Sequence, residues 1–361
     1  MKDIFNFGSG PSMLPKIVLK KIKRDLFNWK NTNVSVMEIS HRNKNFLKVI
    51  ENIKNDIKFL LSVSNDYNII LLQGGARAQF SGIPMNLTNN FSDLADYINT
   101  GYWGMYAAIE AKKYCSVNII DVIEKKDKLS ILPMKNWNIS KNSVYLHYCP
   151  NETINGTAIY ETPKFKNKIV VADFSSTILS RPIDVNKFDI IYASSQKNIG
   201  VSGMTIMIFK KNIFLKQNKF TPSILNYEII YKNNSLFNTP PTFNWYVSGL
   251  VLKWLIDQGG VKKINNINKI KSKLIYDIID KSKFYKNNIY DEYRSYMNII
   301  FYLPNKKLNN LFLKLSKING LLFLKGHRAV GGIRASMYNS MTIKGAKKLA
   351  NFMKYFEKRY G

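Results

Sequence analysis

The sequence predicts an α/β fold with a mostly parallel sheet, on two observations: short apolar runs that recur between residues 69 and 209, and polar or glycine-rich residues at the C-terminal end of each run. A helix comes first. Phe46, Ile50, Ile53, Ile57 and Leu60 step by four and three, which sets one apolar stripe on a helix and turns Lys48, Glu51, Asn55 and Lys58 outward. Residues 69–72 then read as a buried strand running into Gln73-Gly74-Gly75. The unit recurs at 144–148 before Asn151-Glu152-Thr153, at 169–172 before Asp173, at 190–193 before Ser194-Ser195-Gln196-Lys197, and at 205–209. Open parallel sheets hold ligands beyond the carboxyl ends of their strands, so the site is expected along that one edge. Near Gly259-Gly260 the texture changes to long lysine-rich helical segments, with a strand expected at 297–301 and a closing helix carrying Ala346, Leu349, Ala350, Met353 and Phe356. These boundaries give a large domain over 16–260 and a smaller α/β domain over 261–361, with residues 1–15 expected against the smaller one.

Composition narrows the function classes. A chain of 361 residues with 45% hydrophobic and 13% aromatic residues buries a core. No apolar run approaches the ~20 residues that span a bilayer, and the first residues lack a signal-peptide stretch, so a soluble protein that stays in the cytoplasm is expected. Cys115 and Cys149 have neither CxxC spacing nor a cluster of ligand residues around them, which argues against a disulfide framework or a metal site. The formal charge of +30 invites a nucleic-acid reading. The lysines, however, are strewn among asparagines and isoleucines, whose codons share an AT bias, and no basic run is interleaved with stacking aromatics. A solvated basic face is the expectation, with a charge-driven nucleic-acid binder as the alternative from another class. Arginine is scarce against this lysine background, and its rigid fork suits bidentate binding of carboxylate or phosphate.

Three constellations carry chemistry. Two of the three histidines precede arginine, in Ser40-His41-Arg42 and Gly326-His327-Arg328. Such pairs could jointly hold a multiply charged anion, although on spacing alone surface loops of a basic protein are the favoured reading. His147 lies inside an apolar run and reads as a core histidine with its hydrogen bonds satisfied. Asp173 and Lys197 end consecutive strand regions, which would bring an acid and an amine to the same sheet edge. Pyridoxal-phosphate chemistry needs that pair: a lysine to form an imine and shuttle a proton, and an acid to keep the ring nitrogen protonated. A lysine at a strand end proves little by itself in so lysine-rich a chain.

The chain resembles the phosphoserine aminotransferase family, pyridoxal-phosphate enzymes of fold type I, from end to end. The motifs that carry the resemblance are Phe5-Asn6-Phe7-Gly8-Ser9-Gly10-Pro11, Glu38-Ile39-Ser40-His41-Arg42, Gln73-Gly74-Gly75-Ala76-Arg77, Gly101-Tyr102-Trp103, His147-Tyr148-Cys149-Pro150-Asn151-Glu152-Thr153, Ala172-Asp173-Phe174-Ser175-Ser176, Gln196-Lys197-Asn198-Ile199-Gly200, Asn238-Thr239-Pro240-Pro241-Thr242 and Gly326-His327-Arg328. The resemblance implies a seven-stranded sheet in the large domain, pyridoxal 5'-phosphate on Lys197, and Asp173 at its ring nitrogen. It further implies Trp103 stacked on the ring, Thr153 on the ring-oxygen side, and Ala76, Arg77 and Gln196 at the cofactor phosphate. Many relatives have glycine where Ala76 stands, a departure that costs little if φ there is negative. Asn238 and Thr239 are implied to reach the cofactor of a second subunit, which makes a homodimer part of the site. Arg334 is implied to clamp the substrate α-carboxylate, and His41, Arg42, His327 and Arg328 the distal phosphate or the γ-carboxylate of glutamate. The implied reaction moves the amino group of L-glutamate to 3-phosphohydroxypyruvate, with 3-hydroxy-2-oxo-4-phosphonooxybutanoate as a further acceptor; an aminotransferase of alanine-glyoxylate type is the alternative within the enzymes.

Overall fold

The computed structural model describes residues 3–214 and 219–361. Its centre is a seven-stranded sheet in the order Tyr67–Leu72, Thr205–Lys210, Ile190–Ser194, Ile169–Asp173, Tyr145–Tyr148, Leu94–Asn99, Ser116–Asp121. Thr205–Lys210 is antiparallel to both its neighbours, and the other strands run one way. The carboxyl ends of the parallel strands therefore share one edge, as expected. Apolar side chains on both faces explain the near-continuous Ile, Val and Leu runs, because each face is covered by helices.

The predicted amphipathic helix spans Lys44–Leu61, and Phe46, Ile50, Ile53, Ile57 and Leu60 are its buried stripe. Asn43 starts it by accepting from Asn45 N, and Ser62 ends it in a left-handed conformation. Two strands of the sheet, Leu94–Asn99 and Ser116–Asp121, are absent from the sequence reading. Asp96 breaks the apolar run of the first. It is fully buried, and it is tolerated because Ser140 N, Ser140 Oγ, Ser143 Oγ and Asn118 Nδ2 all donate to its carboxylate.

The helix Gly260–Lys281 begins at the change in sequence texture. Val261 and Ile264 in its first turns belong to the large apolar cluster, whereas Ile275, Ile278 and Ile279 belong to a second cluster with the closing helix Ile343–Tyr360. Phe5 and Phe7 lie in that second cluster, and the strand Phe5–Asn6 pairs with Leu321–Leu322. Of the segment 1–15, residues 1 and 2 lie outside the described residues.

Between the two clusters the same helix buries Lys271 completely, with Nζ donating to Met337 O at 3.1 Å and Tyr338 O at 2.8 Å. Burial draws the ammonium pKa down from 10.5 to about 7. The unfolded chain then binds the proton between those two values and the folded chain does not, so this lysine makes stability rise with pH through that window. The Lys271→Met variant is expected to lose that slope. Relative to the variant, the wild type should gain roughly 2–4 kcal/mol between pH 7 and 10 in urea unfolding curves, and parallel pH profiles would contradict it.

Candidate active site

The turn Ser194-Ser195-Gln196-Lys197 follows the Ile190–Ser194 strand, and Asp173 ends the neighbouring strand. Adjacent parallel strands thus deliver the amine and the acid to one edge. Lys197 is half-buried, its Nζ 6.0 Å from the centre of the Trp103 ring. Its backbone is held independently of its side chain, because Ser12 Oγ donates to Lys197 O at 2.5 Å and Ser12 N to Gln196 O at 2.9 Å. Gly10 permits that approach: a Cβ there would stand 3.3 Å from Gln196 Cγ and 3.5 Å from Lys197 Cγ.

Asp173 is buried, accepts from Ser175 N at 2.8 Å and lies against the Tyr192 hydroxyl. Burial raises its carboxyl pKa, against the opposing pull of Ser175 and of the Lys197 charge. Among the described residues Asp173 forms no ion pair. Behind it, Tyr192 Oη and His147 Nε2 are 2.9 Å apart. His147 is a core histidine as expected, but only in part satisfied, since no described group pairs with its buried Nδ1. Burial draws its pKa down to about 3, so it is neutral.

The opposite wall begins at Gly101, which opens the helix Tyr102–Ala111. Trp103 Nε1 donates to Thr153 Oγ1 at 2.9 Å, which fixes the indole edge, and the Arg77 guanidinium stands 5.6 Å from the ring centre. Thr153 O accepts from Arg334 Nη1 at 3.1 Å, so the strand Ile333–Ser336 brings this arginine to the same site. His327 and Arg328 occupy the loop before that strand; burial and the charges of Arg334 and Arg328 lower the His327 pKa, and Tyr102 lies 6.0 Å from its ring.

Gly74 and Gly75 take φ of 83° and 66° and start the helix Gly75–Leu87, leaving Ala76 at negative φ, where alanine is unstrained. No side chain caps that helix start, and a Cβ on Gly75 would come within 3.2 Å of Ser194 Oγ. The Ser194 hydroxyl donates to Gln196 Oε1 beside it.

The structure thus brings together Lys197, Asp173, Trp103, Thr153, Gln196, Ala76, Arg77 and Arg334. His41 and Arg42 sit in the turn before the Lys44–Leu61 helix, Arg42 exposed, and no contact among the described residues ties them to these groups. Asn238 and Thr239 are exposed, and Asn238 Oδ1 accepts from Gln73 Nε2 at 3.0 Å. Glu152 is a residue that the sequence reading carries only inside a motif. It is wholly buried, accepting from Trp103 N at 3.0 Å, Gly104 N at 2.9 Å and Thr100 Oγ1 at 3.2 Å. An acid directly before Thr153 was visible, but nothing in the spacing joins it to residues 100–104.

These groups suit pyridoxal phosphate. The uncapped helix start offers N–H groups and a favourable dipole to a phosphate, the unpaired buried carboxylate suits a cationic ring nitrogen, and the indole supplies an apolar face above an amine.

An aminotransferase class-V family model matches residues 4–349. The chain is 55% identical over 362 residues to the phosphoserine aminotransferase of Buchnera aphidicola subsp. Schizaphis graminum, covering 100% of both. It superposes on the phosphoserine aminotransferase from Bacillus circulans subsp. alkalophilus with a TM-score of 0.95 at 36% identity, over 99% of each chain. A phosphoserine aminotransferase from Trichomonas vaginalis with pyridoxal phosphate bound gives 0.92 at 33% identity, over 98% of this chain and 100% of that one.

Proposed function

The chain belongs to the class-V aminotransferases, and from that premise we propose that it is a phosphoserine aminotransferase, moving the amino group of L-glutamate to 3-phosphohydroxypyruvate to give O-phospho-L-serine and 2-oxoglutarate. The observation that carries the proposal is the convergence of Lys197, Asp173, Trp103 and Arg334 on one sheet edge. The same phosphate-binding residues suit 3-hydroxy-2-oxo-4-phosphonooxybutanoate, so we read roles in serine and pyridoxine synthesis together.

Bound pyridoxal phosphate supplies an electron-withdrawing ring that stabilises negative charge developing at the substrate α-carbon. Asp173 would hold its carboxylate toward the ring nitrogen, where burial would strengthen the pairing. Lys197 Nζ would hold the cofactor covalently and, once displaced from it by the substrate amine, would serve as the free base that moves the substrate α-proton. Trp103, its indole edge fixed on Thr153, would cover one face of the ring. Ala76, Arg77 and Gln196 hold the cofactor phosphate at the helix start. Arg334 forms a fork pair with the α-carboxylate, while His327 and Arg328 meet the distal anionic group.

Among the described residues His41 and Arg42 make no contact with this cluster, and Asn238 reaches only Gln73 at its margin, which supports a homodimer in which these residues and Thr239 complete the partner's site. The change of apolar cluster along Gly260–Lys281 supports a two-domain division near residue 260. Among the described residues no helix is long and apolar enough to cross a membrane, and both cysteines are buried thiols, in keeping with a cytoplasmic enzyme.

The test is steady-state kinetics with glutamate as donor. 3-Phosphohydroxypyruvate is expected to give a kcat/KM at least about 10³-fold above pyruvate or glyoxylate, because those acceptors carry no phosphate to form charge-assisted hydrogen bonds with the His and Arg side chains assigned to the distal group. Equal rates would favour an alanine-glyoxylate type of activity instead.

A further inference from the structure

We propose that Glu152 is a positioning residue that sets the plane of the Trp103 indole and thereby the affinity for pyridoxal phosphate. The proposal rests on the reading of Trp103 as the face against the cofactor ring.

The helix Tyr102–Ala111 has no cap of its own: Gly101 lies at φ 146° and offers no side chain, so the first N–H groups would be orphaned in a buried place. Glu152 supplies the cap from a different part of the chain. One carboxylate oxygen takes Gly104 N and Thr100 Oγ1, the other takes Trp103 N. The chain is built around that carboxylate. A Cβ on Gly101 would fall 2.8 Å from both Glu152 Cδ and Glu152 Cγ.

Three features point to the ring and not only to helix stability. Glu152 and Thr153 are consecutive and hold Trp103 at two places, the peptide N–H and the indole Nε1–H. Thr153 also meets Arg334, so the same short segment ties the cofactor face to the substrate clamp. A wholly buried acid is a costly way to cap a helix, a task that a neighbouring Ser, Thr or Asn performs at most helix starts without burying a charge. Its burial, reinforced by the nearby Asp173 charge, pushes the Glu152 pKa up to about 7 in spite of three donors. Helix formation alone does not call for such an acid, whereas a cap delivered from the Thr153 side couples indole orientation to the site.

The discriminating variant is Glu152→Gln. It keeps the volume, but one of its two polar atoms becomes an NH₂ group facing N–H donors, so the grip on residues 103–104 is broken. Holoenzyme would be resolved from its cofactor, retitrated with pyridoxal phosphate, and the retained cofactor read by absorbance after ultrafiltration, alongside melting of the cofactor-free protein. Pyridoxal-phosphate Kd is expected to rise about tenfold, with the glutamate KM at saturating cofactor changed less than about threefold.

Trp103→Phe and the double variant complete a cycle. If Glu152 acts through Trp103, the two losses are non-additive: in the Trp103→Phe background, Glu152→Gln costs much less. Additive losses, or a Glu152→Gln protein with lower melting temperature and wild-type Kd, overturn the proposal. A Trp103→Phe enzyme with wild-type Kd overturns the reading of Trp103 itself, and the inference with it. Should Glu152→Gln not fold, Thr100→Val removes one donor without touching the acid. Its Kd is expected to rise about threefold, non-additively with Trp103→Phe, and an unchanged Kd counts against the proposal.

Discussion

Replacing Lys197 by alanine is expected to lower kcat by at least about 10³-fold while leaving the fold intact, because the side chain supplies both the anchoring amine and the base. The two effects separate for a structural reason. The turn that carries Lys197 is fixed through main-chain atoms, with Ser12 bound to the carbonyls of residues 196 and 197. Removing the side chain leaves those bonds in place, and unfolding free energy should change by about 1 kcal/mol or less. Borohydride reduction followed by peptide mapping gives the decisive reading. In the wild type the cofactor mass is expected on the peptide containing Lys197, and in the alanine variant on none. Label on another lysine, or undiminished turnover in the variant, would remove Lys197 from its role. The surrounding abundance of lysine makes this a strict test: Lys187, Lys210 and Lys211 lie close by in the chain, yet among the described residues Lys197 alone stands over Trp103 with its charge felt at Asp173.

That one lysine could be picked out at all depended on different kinds of sequence information. Strands buried on both faces declare themselves as unbroken apolar runs, so 69–72, 169–172 and 190–193 were legible, and with them the edge where Asp173 and Lys197 end. Leu94–Asn99 was not, because Asp96 interrupts it, and the serines that satisfy that aspartate lie more than forty residues away. Ser116–Asp121 was hidden for the opposite reason: as an edge strand it is half-exposed, and its Asn118 and Ser116 read as loop. Strand direction is likewise absent from a periodicity, and the reversed Thr205–Lys210 emerged only with the topology.

Arginine scarcity was a partial guide. It drew attention to Arg334, yet Arg294 proves to be a buried structural fork, bidentate to Asp280 at 2.8 Å on both arms, and Arg181 covers the Tyr160 ring and bonds Ile159 O. Residue type named the chemistry a side chain can do; only the surroundings tell which anion it meets. Glu152 is the clearest case, since its three donors come from a segment about fifty residues earlier in the chain.

Asp173→Asn is expected to separate stability from function in opposite directions. Asparagine is nearly isosteric and keeps an oxygen for Ser175 N, so the local turn survives. What disappears is a charge that the folded chain carries in a buried place without an ion pair. Because burial holds the folded carboxyl pKa above its unfolded value, the folded chain binds the proton more tightly, and the cofactor-free wild type loses stability as pH rises from the unfolded pKa through the raised one. At neutral pH the asparagine variant without cofactor should therefore be at least as stable as the wild type. With cofactor the order reverses. The neutral amide cannot hold a protonated ring nitrogen, so the stabilisation gained on cofactor binding should shrink and kcat should fall about 10²–10³-fold. Melting curves with and without pyridoxal phosphate, set beside turnover, read both effects from one preparation. An acid kept only for the fold would lose stability with its charge and leave turnover unchanged. An acid kept for the ring destabilises the empty protein and stabilises the loaded one, and that crossing of the two melting orders is the signature to look for.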